Sequence, residues 1–571
     1  MTSAAEHAWQ EGAQAQARGE WPTAERWYRI YLDAQPEAPW AWLNLGTIER
    51  ELGRARSAEA CYLKALAHAQ DYPEAWKIHN NLARLYLHEG RVDCIEAARH
   101  TVRLQPDFAE GWLTLGKALQ LARSHAEAIA CFEQAARLGD QRYRPSLLSS
   151  KRVLCDWRGV AELEAQLLAD TAVPNDLLQY FAQLGSSGMQ QRRQAEAYAV
   201  RYHQPPIYPH GIAHRVSGRR LRLGYLSADF HGHAVALCLA ETIENHDRSK
   251  FEVVAYSNGI PSGDAMERRL QAAFERFHDI SGLDDEAAAQ LIHGHGIDIL
   301  IDLAGYTYRN RAAVMARRPA PIQLHHLGWP GTMGAPFIDY MLVDRIAAAQ
   351  PAWFTERLLY LDCYQPNDSG KPDPIAPPRS QLGLPEQAIV LCSANNVAKL
   401  TPSLLAVWCE ILREMPNAVL WLAVGDPAAE ANLRDFAHGY GVDSRLIAYR
   451  PRPYADHLNA MAAADLALDC FPYGGHATTS DLLWAGVPVL TCRGESFLSR
   501  VGASLVSAAG LPELAMSDLR EYKDQALALC RQPQRLAQMK AQLIRTRRTS
   551  LLFDNRRYTR GLEAALLALT A

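Results

Sequence analysis

A loop rich in glycine and hydroxyl side chains carries the clearest sign of chemistry in this sequence. It follows an apolar segment at residues 464–469, and it runs Phe471-Pro472-Tyr473-Gly474-Gly475-His476-Ala477-Thr478-Thr479-Ser480-Asp481. Glycines let a ligand approach the backbone, and the first N–H groups of a helix that starts here would have no partner, which suits a diphosphate. Asp481, one turn into that helix, could accept hydrogen bonds from ribose hydroxyls. The alternative is that Thr478 and Asp481 only cap the helix.

A second loop places a lysine near the start of another predicted helix. It runs Ser393-Ala394-Asn395-Asn396-Val397-Ala398-Lys399-Leu400-Thr401-Pro402. Thr401 and Pro402 are typical of an N-cap and of the first helical position. Lys399 could then neutralise negative charge that develops on a departing diphosphate. The alternative for an isolated lysine is a solvated surface position.

Histidines are candidates for proton transfer or for metal binding. Asp229 and His233 follow a predicted strand, and a histidine with an ordinary pKa near ~6.5 can either accept or donate a proton. The segments His231-Gly232-His233 and His293-Gly294-His295 could instead bind a metal, but no third ligand is spaced to complete either site. The sequence also has no D-x-D segment of the kind that holds Mg²⁺ or Mn²⁺ through paired carboxylates. We therefore expect no metal.

Two series of predicted strands would position these loops. After a proline-rich segment at residues 205–211, apolar strands alternate with helical stretches, at residues 221–226, 251–256 and 297–303. Beyond a second proline-rich segment, residues 371–378, further strands are predicted at 388–392, 418–424 and 445–449. This alternation predicts two doubly wound α/β lobes with ligands at the carboxyl ends of their strands, between the lobes. An amphipathic helix around residues 555–569 is expected to pack back across them.

The first part of the chain repeats near the ~34-residue period of tetratricopeptide helix pairs. The small residues that would lie between paired helices are Gly12, Gly46, Ala83 and Gly116. The matching second-helix pairs are Ala24 and Tyr28, Ala58 and Tyr62, Ala128 and Phe132, with a weaker third pair of Ile95 and Arg99. These residues predict a helical superhelix without indicating what it binds.

Composition excludes several classes of protein. With 571 residues the chain is expected to form several domains, and its formal net charge of -4 does not favour a nucleic-acid or membrane partner. No basic and apolar leader opens the sequence, and no apolar run reaches the ~20 residues of a membrane span, so we expect a cytoplasmic location. The 11 cysteines are dispersed and are interpreted as small buried residues.

Several further segments occur in the order found in a known family. They run Gly224-Tyr225-Leu226-Ser227-Ala228-Asp229-Phe230-His231-Gly232-His233, Gly305-Tyr306-Thr307, Arg318-Pro319-Ala320-Pro321-Ile322-Gln323, Leu327-Gly328-Trp329-Pro330-Gly331-Thr332-Met333-Gly334, Gly494-Glu495-Ser496 and Ser499-Arg500-Val501. Together with the two loops above, they resemble the O-linked N-acetylglucosaminyltransferases. The resemblance covers residues 221–514 and is to a bacterial homologue with tetratricopeptide repeats.

The resemblance implies a domain order and a reaction. It implies a tetratricopeptide-like superhelix at residues 1–142, a helical linker region at 143–216, and a GT-B glycosyltransferase with lobes at 217–375 and 376–571, the second binding UDP. Such an enzyme inverts the anomeric centre and moves a sugar, here N-acetylglucosamine, from a UDP-sugar to serine or threonine hydroxyls of proteins. It uses no metal or other cofactor, and the repeats would dock the acceptor protein.

The resemblance also assigns roles to individual residues. Lys399 would help the diphosphate depart, with phosphate contacts from His476, Ala477 and Thr478. His457 would stack on the uracil, the Arg452 backbone would contact the base edge, and Asp481 would bind the ribose. Further donor contacts would come from Asn396, Pro453, Tyr454, Leu327 and Gly328. His233 is our candidate for the general base, with Asp229 second.

This sequence departs from the family pattern at five places. A further histidine of the animal-protein enzyme aligns near residues 173–176 and is missing. Asn396 replaces glutamine, Ala477 threonine, Tyr454 a lysine and Ala460 an arginine. Two alternatives therefore stay open: a transferase with another donor, such as a GDP-fucose-using protein O-fucosyltransferase of the Spindly type, or a catalytically silent nucleotide-sugar sensor whose repeats do the work.

Overall fold

The computed structural model describes residues 2–169, 185–209, 214–450 and 452–571. The chain forms two compact units, Met1–Leu154 and Cys155–Ala571. Within the described ranges, no helix is long and apolar enough to cross a membrane. All eleven cysteines are unpaired and buried, which confirms their interpretation as small core residues. The aligned segment at 173–176 and residues 210–211 of the first proline-rich segment lie outside the described residues.

The first unit consists of helices that pair in sequence order. They are α1 Thr2–Ala17, α2 Trp21–Ala34, α3 Pro39–Glu51, α4 Ala55–Ala67, α5 Ala75–His88, α6 Cys94–Leu104, α7 Ala109–Leu121, α8 His125–Arg137 and α9 Arg144–Val153. Helices α1 to α8 form four helical hairpins, because α1 packs on α2, α3 on α4, α5 on α6 and α7 on α8. The predicted repeat architecture is confirmed.

Small residues let the paired helices approach each other. A Cβ atom added to Gly46 would lie 2.6 Å from the Tyr62 ring, and one added to Gly116 would lie 2.3 Å from the Phe132 ring. Both distances are shorter than carbon contacts allow, so glycine is required there.

The third repeat corrects one detail of the sequence analysis. Arg99 is exposed and Ile95 only half-buried, whereas Cys94 and Ala98, one residue earlier, are fully buried. The buried pair of α6 thus lies 11 and 15 residues after Ala83, one residue less than the spacing in the other three hairpins.

The second unit alternates helices and strands around two sheets. Its helices are α10 Val160–Ala169, α11 Gly188–Ala199, α12 Ala234–Asn245, α13 Ala265–Ala273, α14 Asp285–Gly294, α15 Ala312–Ala316, α16 Pro402–Glu414, α17 Pro427–His438, α18 Tyr454–Met461, α19 Ala477–Trp484, α20 Val501–Ala508, α21 Leu519–Cys530, α22 Pro533–Thr546 and α23 Asn555–Ala568. Its strands are β1 Leu221–Ser227, β2 Phe251–Ser257, β3 Arg276–Asp279, β4 Ile299–Asp302, β5 Ile322–His325, β6 Tyr340–Val343, β7 Arg357–Tyr360, β8 Ile389–Ser393, β9 Ala418–Ala423, β10 Leu446–Tyr449, β11 Leu466–Leu468, β12 Val489–Cys492 and β13 Ala515–Met516.

Both sheets are parallel and doubly wound, as predicted. The first has the strand order β3-β2-β1-β4-β5-β6-β7, and the second has the order β10-β9-β8-β11-β12-β13. The six strands predicted from apolar runs, and the apolar segment at residues 464–469, are all present as strands within two residues of their expected ends. The strand order reverses beside β1 and beside β8, so the crevices of the two lobes open where the loops after these strands diverge.

The lobes are joined by buried side-chain contacts. The last helix, α23, lies against the first lobe, where Glu563 pairs with the buried His246 and Asn555 bonds to Thr242. The Tyr558 hydroxyl is 3.0 Å from His326 Nε2 at the end of β5. These contacts hold α23 and the first lobe together.

Candidate active site

The glycine-rich loop leads directly into the N-terminus of helix α19. No side chain caps this helix, and within the described residues the N–H groups of Ala477, Thr478 and Thr479 make no hydrogen bond. Thr479 Oγ1 and His476 Nε2 are also buried without a partner there. The capping alternative for Thr478 and Asp481 is therefore wrong. Free N–H groups at the positive end of a helix, with unpartnered polar atoms beside them, form an anion site.

A buried carboxylate, Asp469, holds the loop in shape. Its Oδ1 accepts hydrogen bonds from the N–H groups of Cys470 and Gly475, at 2.9 and 2.7 Å, and from Asn395 Nδ2 at 3.0 Å. Its Oδ2 accepts from the Thr491 hydroxyl at 2.7 Å. Since all four partners are donors, Asp469 fixes where the loop turns toward α19.

Gly475 cannot carry a side chain in this arrangement. An added Cβ atom would lie 2.3 Å from Thr479 Oγ1 and 3.2 Å from Asp469 Oδ1. The backbone of the loop is therefore packed directly against the start of the helix.

Lys399 lies over this loop and is not a solvated surface lysine. Its ammonium group donates to the Gly474 carbonyl at 2.9 Å and sits 3.9 Å from the centre of the Tyr473 ring. Thr401 caps helix α16 by accepting from the Leu404 N–H, with Pro402 as first residue, as predicted. This cap ends the short 3-10 turn that carries Lys399, so the lysine and the α19 N-terminus face the same loop.

His476 stays uncharged beside this cation. Burial, and after it the charge of Lys399, lowers the pKa of His476 to about 3. The neutral ring has one N–H, which a hydrogen bond to the Leu498 backbone uses, so His476 can donate to a phosphate oxygen only by exchanging that bond. Ala477 and Thr478 contribute their backbone N–H groups at the same place.

The predicted base-binding residues gather at helix α18. The Tyr449 hydroxyl, at the end of β10, is 2.9 Å from Nδ1 of His457, which fixes the ring of this histidine. Burial lowers the pKa of His457, so the ring is neutral and can stack on a base. Arg452 and Pro453 are exposed just before the helix.

Asn396 lies shortly after the end of β8, and its side chain bonds to the neighbouring backbone. Its side chain accepts a hydrogen bond from the Ala398 N–H at 3.0 Å, and the residue is exposed. The side chain thereby shapes the turn that carries Lys399.

Asp481, predicted to bind the ribose, is a nearly buried acceptor. Its Oδ1 receives a hydrogen bond from the Tyr454 hydroxyl and one from the Lys371 ammonium, each at 2.8 Å. Lys371 belongs to the second proline-rich segment, which was interpreted from the sequence only as the boundary between two series of strands. The structure thus brings Tyr454 and Asp481 together and places the Lys371 ammonium beside them.

In the first lobe, Asp229 and His233 follow β1. His233 caps α12, because its Nδ1 accepts a hydrogen bond from the Val235 N–H at 3.3 Å, and Nδ1 also lies 3.5 Å from Asp229 Oδ2. The His233 side chain is 44% exposed, so its Nε2 edge is accessible. The pair therefore lies at an open strand end, in the position the sequence predicted.

Leu327 and Gly328 form a tight turn after β5. Leu327 has a φ of +61°, unusual for a large residue, and a Cβ atom on Gly328 would lie 2.3 Å from the Leu303 carbonyl oxygen. Behind the turn, His325 Nε2 bonds to the Trp329 carbonyl, and Asp302 accepts from the N–H groups of Ala304 and Gly305. Burial raises the pKa of Asp302 to about 7.

The loops of the two lobes meet. Tyr473 packs against the buried cluster that contains Trp329 of the first lobe and Leu498 of the second. The Gln365 amide, from the segment between the lobes, donates to the Ser480 hydroxyl on α19 at 2.8 Å. Elements of both lobes therefore border the anion site.

The predicted absence of metal stays a prediction. In the part of the chain that the structure describes, no three His, Cys, Asp or Glu side chains are close enough to hold an ion. His231 and His233 have ring centres 5.8 Å apart, and His295 is hydrogen-bonded to the Tyr256 hydroxyl.

The sequence analysis missed two charged residues of this site, Asp469 and Lys371. Asp469 ends the apolar run before the glycine-rich loop, and a carboxylate at a strand end was a signal that could have been used. Lys371 had no such signal, because its partner Asp481 lies far along the chain.

Most of both lobes matches the model of one protein family. The model of glycosyl transferase family 41 matches residues 196–364 and 368–562. The probable UDP-N-acetylglucosamine–peptide N-acetylglucosaminyltransferase SEC of Arabidopsis thaliana is 35% identical over 379 residues, which are 64% of this chain and 39% of that protein. The corresponding probable enzyme SPINDLY of Oryza sativa subsp. japonica is 33% identical over 366 residues, 62% of this chain and 39% of that protein. The chain thus spans well under half of either plant protein.

A solved structure matches over the whole length. A mutant of the Thermobaculum terrenum O-GlcNAc transferase is 27% identical, with a TM-score of 0.63, and the match covers 100% of this chain and 98% of that one. This likeness and the two parallel sheets confirm the predicted tetratricopeptide-like region followed by a GT-B fold. Because the family model spans most of both lobes, the chain belongs to glycosyl transferase family 41.

Proposed function

We propose that this protein transfers N-acetylglucosamine from UDP-N-acetylglucosamine to serine or threonine hydroxyls of proteins, with inversion and without a metal. The observation that carries the proposal is the uncapped N-terminus of α19 with Lys399 beside it. The names of the two plant relatives and of the matching structure support the same donor sugar.

The anion site would stabilise the leaving UDP. Breaking the bond between sugar and phosphate leaves negative charge on the diphosphate, which donors fixed in advance can stabilise. The N–H groups of Ala477 and Thr478, the neutral His476 and the Lys399 ammonium are donors of this kind. For this role Lys399 exchanges its hydrogen bond to the Gly474 carbonyl, and His476 its bond to the Leu498 backbone, for one to a phosphate oxygen.

The nucleoside would lie along α18 and α19. His457, held by Tyr449, would stack on the uracil, and the Arg452 backbone would contact the base edge next to Pro453. Asp481 would accept hydrogen bonds from the ribose. Asn396 would reach the nucleotide from the turn before α16.

The acceptor hydroxyl would be activated from the first lobe. For Nε2 of His233 to take the proton of the hydroxyl, Nδ1 must carry the ring proton, so Nδ1 exchanges the hydrogen bond that it accepts from the Val235 N–H for one that it donates to Asp229. Leu327 and Gly328 would contact the donor sugar from the neighbouring strand end. The repeats would dock the protein that carries the hydroxyl, since solenoids of this kind present extended surfaces.

Lys399→Met tests the proposal. Wild-type protein, incubated with UDP-N-acetylglucosamine and a serine- and threonine-rich peptide library, is expected to add N-acetylhexosamine, seen by mass spectrometry, and to release UDP. The variant is expected to lose at least about a hundredfold in rate, since a fixed oxyanion donor contributes roughly 10²–10³-fold. Lys250→Met, which removes an exposed lysine at the start of β2, is the matched control and should keep the wild-type rate.

Two outcomes would overturn the proposal in different ways. Transfer from GDP-fucose together with binding of GDP and not UDP would identify another donor. Equal background hydrolysis by wild type and Lys399→Met, with UDP bound by both, would favour the catalytically silent sensor.

A further inference from the structure

The segment between the lobes runs along the helix that carries the anion site. We call residues 363–375 the interlobe strap. It reaches α19 at three places: Gln365 donates to Ser480, Lys371 donates to Asp481, and the Pro372 carbonyl accepts from the Trp484 indole at 2.8 Å. The strap therefore covers the side of α19 that bears the predicted ribose ligand.

The strap is also fixed to the other elements around the site. Ser369 bonds to both carboxylate oxygens of Glu241 on α12, and the Ile375 N–H donates to Asn459 on α18. These bonds lie before and after Lys371, so its backbone is held on both sides. The lysine is positioned by the fold rather than by its own flexible side chain.

Lys371 is one of the most enclosed cations of the chain. Its side chain is only 4% exposed and that of Asp481 only 12%, and their charged atoms are 2.8 Å apart. A buried ammonium is costly unless it is paired, so its retention beside a predicted ligand residue needs a reason. Within the described residues, its one hydrogen bond goes to Asp481, which leaves two N–H groups.

Both donors bind the same oxygen of Asp481. The Lys371 ammonium and the Tyr454 hydroxyl each contact Oδ1, while Oδ2 takes part in no hydrogen bond among the described residues. Two donors on one oxygen fix the orientation of the carboxylate. The free Oδ2 can then accept a hydrogen bond from a ribose hydroxyl.

We propose that Lys371, together with Tyr454, is a positioning residue of the nucleotide site, which orients Asp481 so that Oδ2 binds the ribose hydroxyls of the donor nucleotide. The inference rests on the proposed function and makes it more specific, because the residue that orients the ribose ligand, Lys371, lies outside the two loops at residues 393–402 and 471–481. Lys371 acts through Asp481 and takes no part in the chemical step.

The test compares two nucleotides that differ only in the ribose. The dissociation constants of UDP and of 2′,3′-dideoxy-UDP are measured by calorimetry for the full chain. Wild type is expected to prefer UDP by at least about tenfold, because hydrogen bonds to a charged group contribute roughly 1.5–3 kcal/mol. Lys371→Met should bind UDP about tenfold more weakly and lose most of this preference, whereas Lys371→Arg should keep it. A merely structural role would weaken both nucleotides alike and leave the ratio unchanged.

A control variant and a second variant keep the test decisive. Lys540→Met removes another enclosed lysine, which donates to the Ala464 carbonyl at the opposite end of β11, and should leave the ratio at its wild-type value. If Lys371→Met does not fold, Tyr454→Phe removes the other donor to Oδ1 and should reduce the ratio about threefold, the loss of one hydrogen bond. An unchanged ratio in the folded Lys371 or Tyr454 variants overturns this inference alone. Absence of UDP binding by wild type overturns it together with the proposed function.

Discussion

Replacing Asp469 should have two measurable effects, one on the stability of the second lobe and one on the affinity of the anion site for UDP. In Asp469→Ala, two backbone N–H groups, those of Cys470 and Gly475, lose their acceptor, as do the Asn395 amide and the Thr491 hydroxyl. A buried donor without a partner costs about 1–3 kcal/mol. Since the two side chains can rotate toward other acceptors, we expect a loss of about 4 kcal/mol in the free energy of unfolding.

The same change should weaken UDP binding by at least about tenfold, because a small displacement of a fixed donor is costly. Asp469→Asn provides the comparison. Its amide oxygen can keep the three bonds of Oδ1, and Thr491 can turn to accept from the new amide group. This variant should lose only about 1 kcal/mol of stability, the value of one hydrogen bond, and should keep UDP affinity within a few fold.

Urea unfolding and UDP calorimetry measure the two effects, and Asp465→Ala is the matched control. Asp465 precedes the other end of β11 and accepts from Arg379 and the Val390 N–H, at 2.7 and 2.8 Å. Its loss should lower stability without changing UDP affinity. The reasoning is refuted if Asp469→Ala and Asp465→Ala weaken UDP binding equally, or if Asp469→Ala binds UDP as wild type does.

Three further predictions concern single features. Burial raises the pKa of Asp302 from 3.8 to about 7, so its contribution to the free energy of unfolding is complete below pH 3.8 and is lost as the pH rises through 7, up to about 4 kcal/mol. Asp302→Asn should flatten urea-unfolding stability across that range, and an unaltered slope would contradict this origin. Gly475→Ala should abolish UDP binding, while Gly282→Ala, where an added Cβ meets no atom, should leave it intact; equal affinities would show that the loop tolerates a side chain. Excess EDTA should not change the transfer rate, and inhibition that Mg²⁺ reverses would disprove metal independence.

The elements of the fold could be predicted where local pattern determines them. Apolar runs gave the strands that became β1, β2 and β8 to within two residues. The pairing of Thr401 with Pro402 predicted the start of α16. These features depend on neighbours in sequence, so periodicity and capping residues were sufficient.

The parts that escaped prediction depend on contacts between distant residues. Lys371 was interpreted only as part of the proline-rich boundary between two series of strands, because its partner, Asp481, is 110 positions later. Asn395 was noted as part of a loop, but its bond to Asp469 exists only because β8 and β11 are neighbours in the sheet. In the third repeat the buried residues of the second helix lie one position earlier than in the other repeats, which a fixed-period alignment does not detect.

The eleven buried cysteine thiols can also serve as natural probes of local unfolding in this protein. Burial raises the pKa of the Cys238 and Cys470 thiols to about 12, so in the closed state neither is an alkylation target at neutral pH. Alkylation of each cysteine then measures how often its surroundings open. Cys61, Cys94 and Cys131 report on three successive helical hairpins, and the other cysteines report on the second unit. Quantifying each labelled cysteine by peptide mass spectrometry would rank the stability of the repeats against that of the lobes in one sample, without any introduced probe.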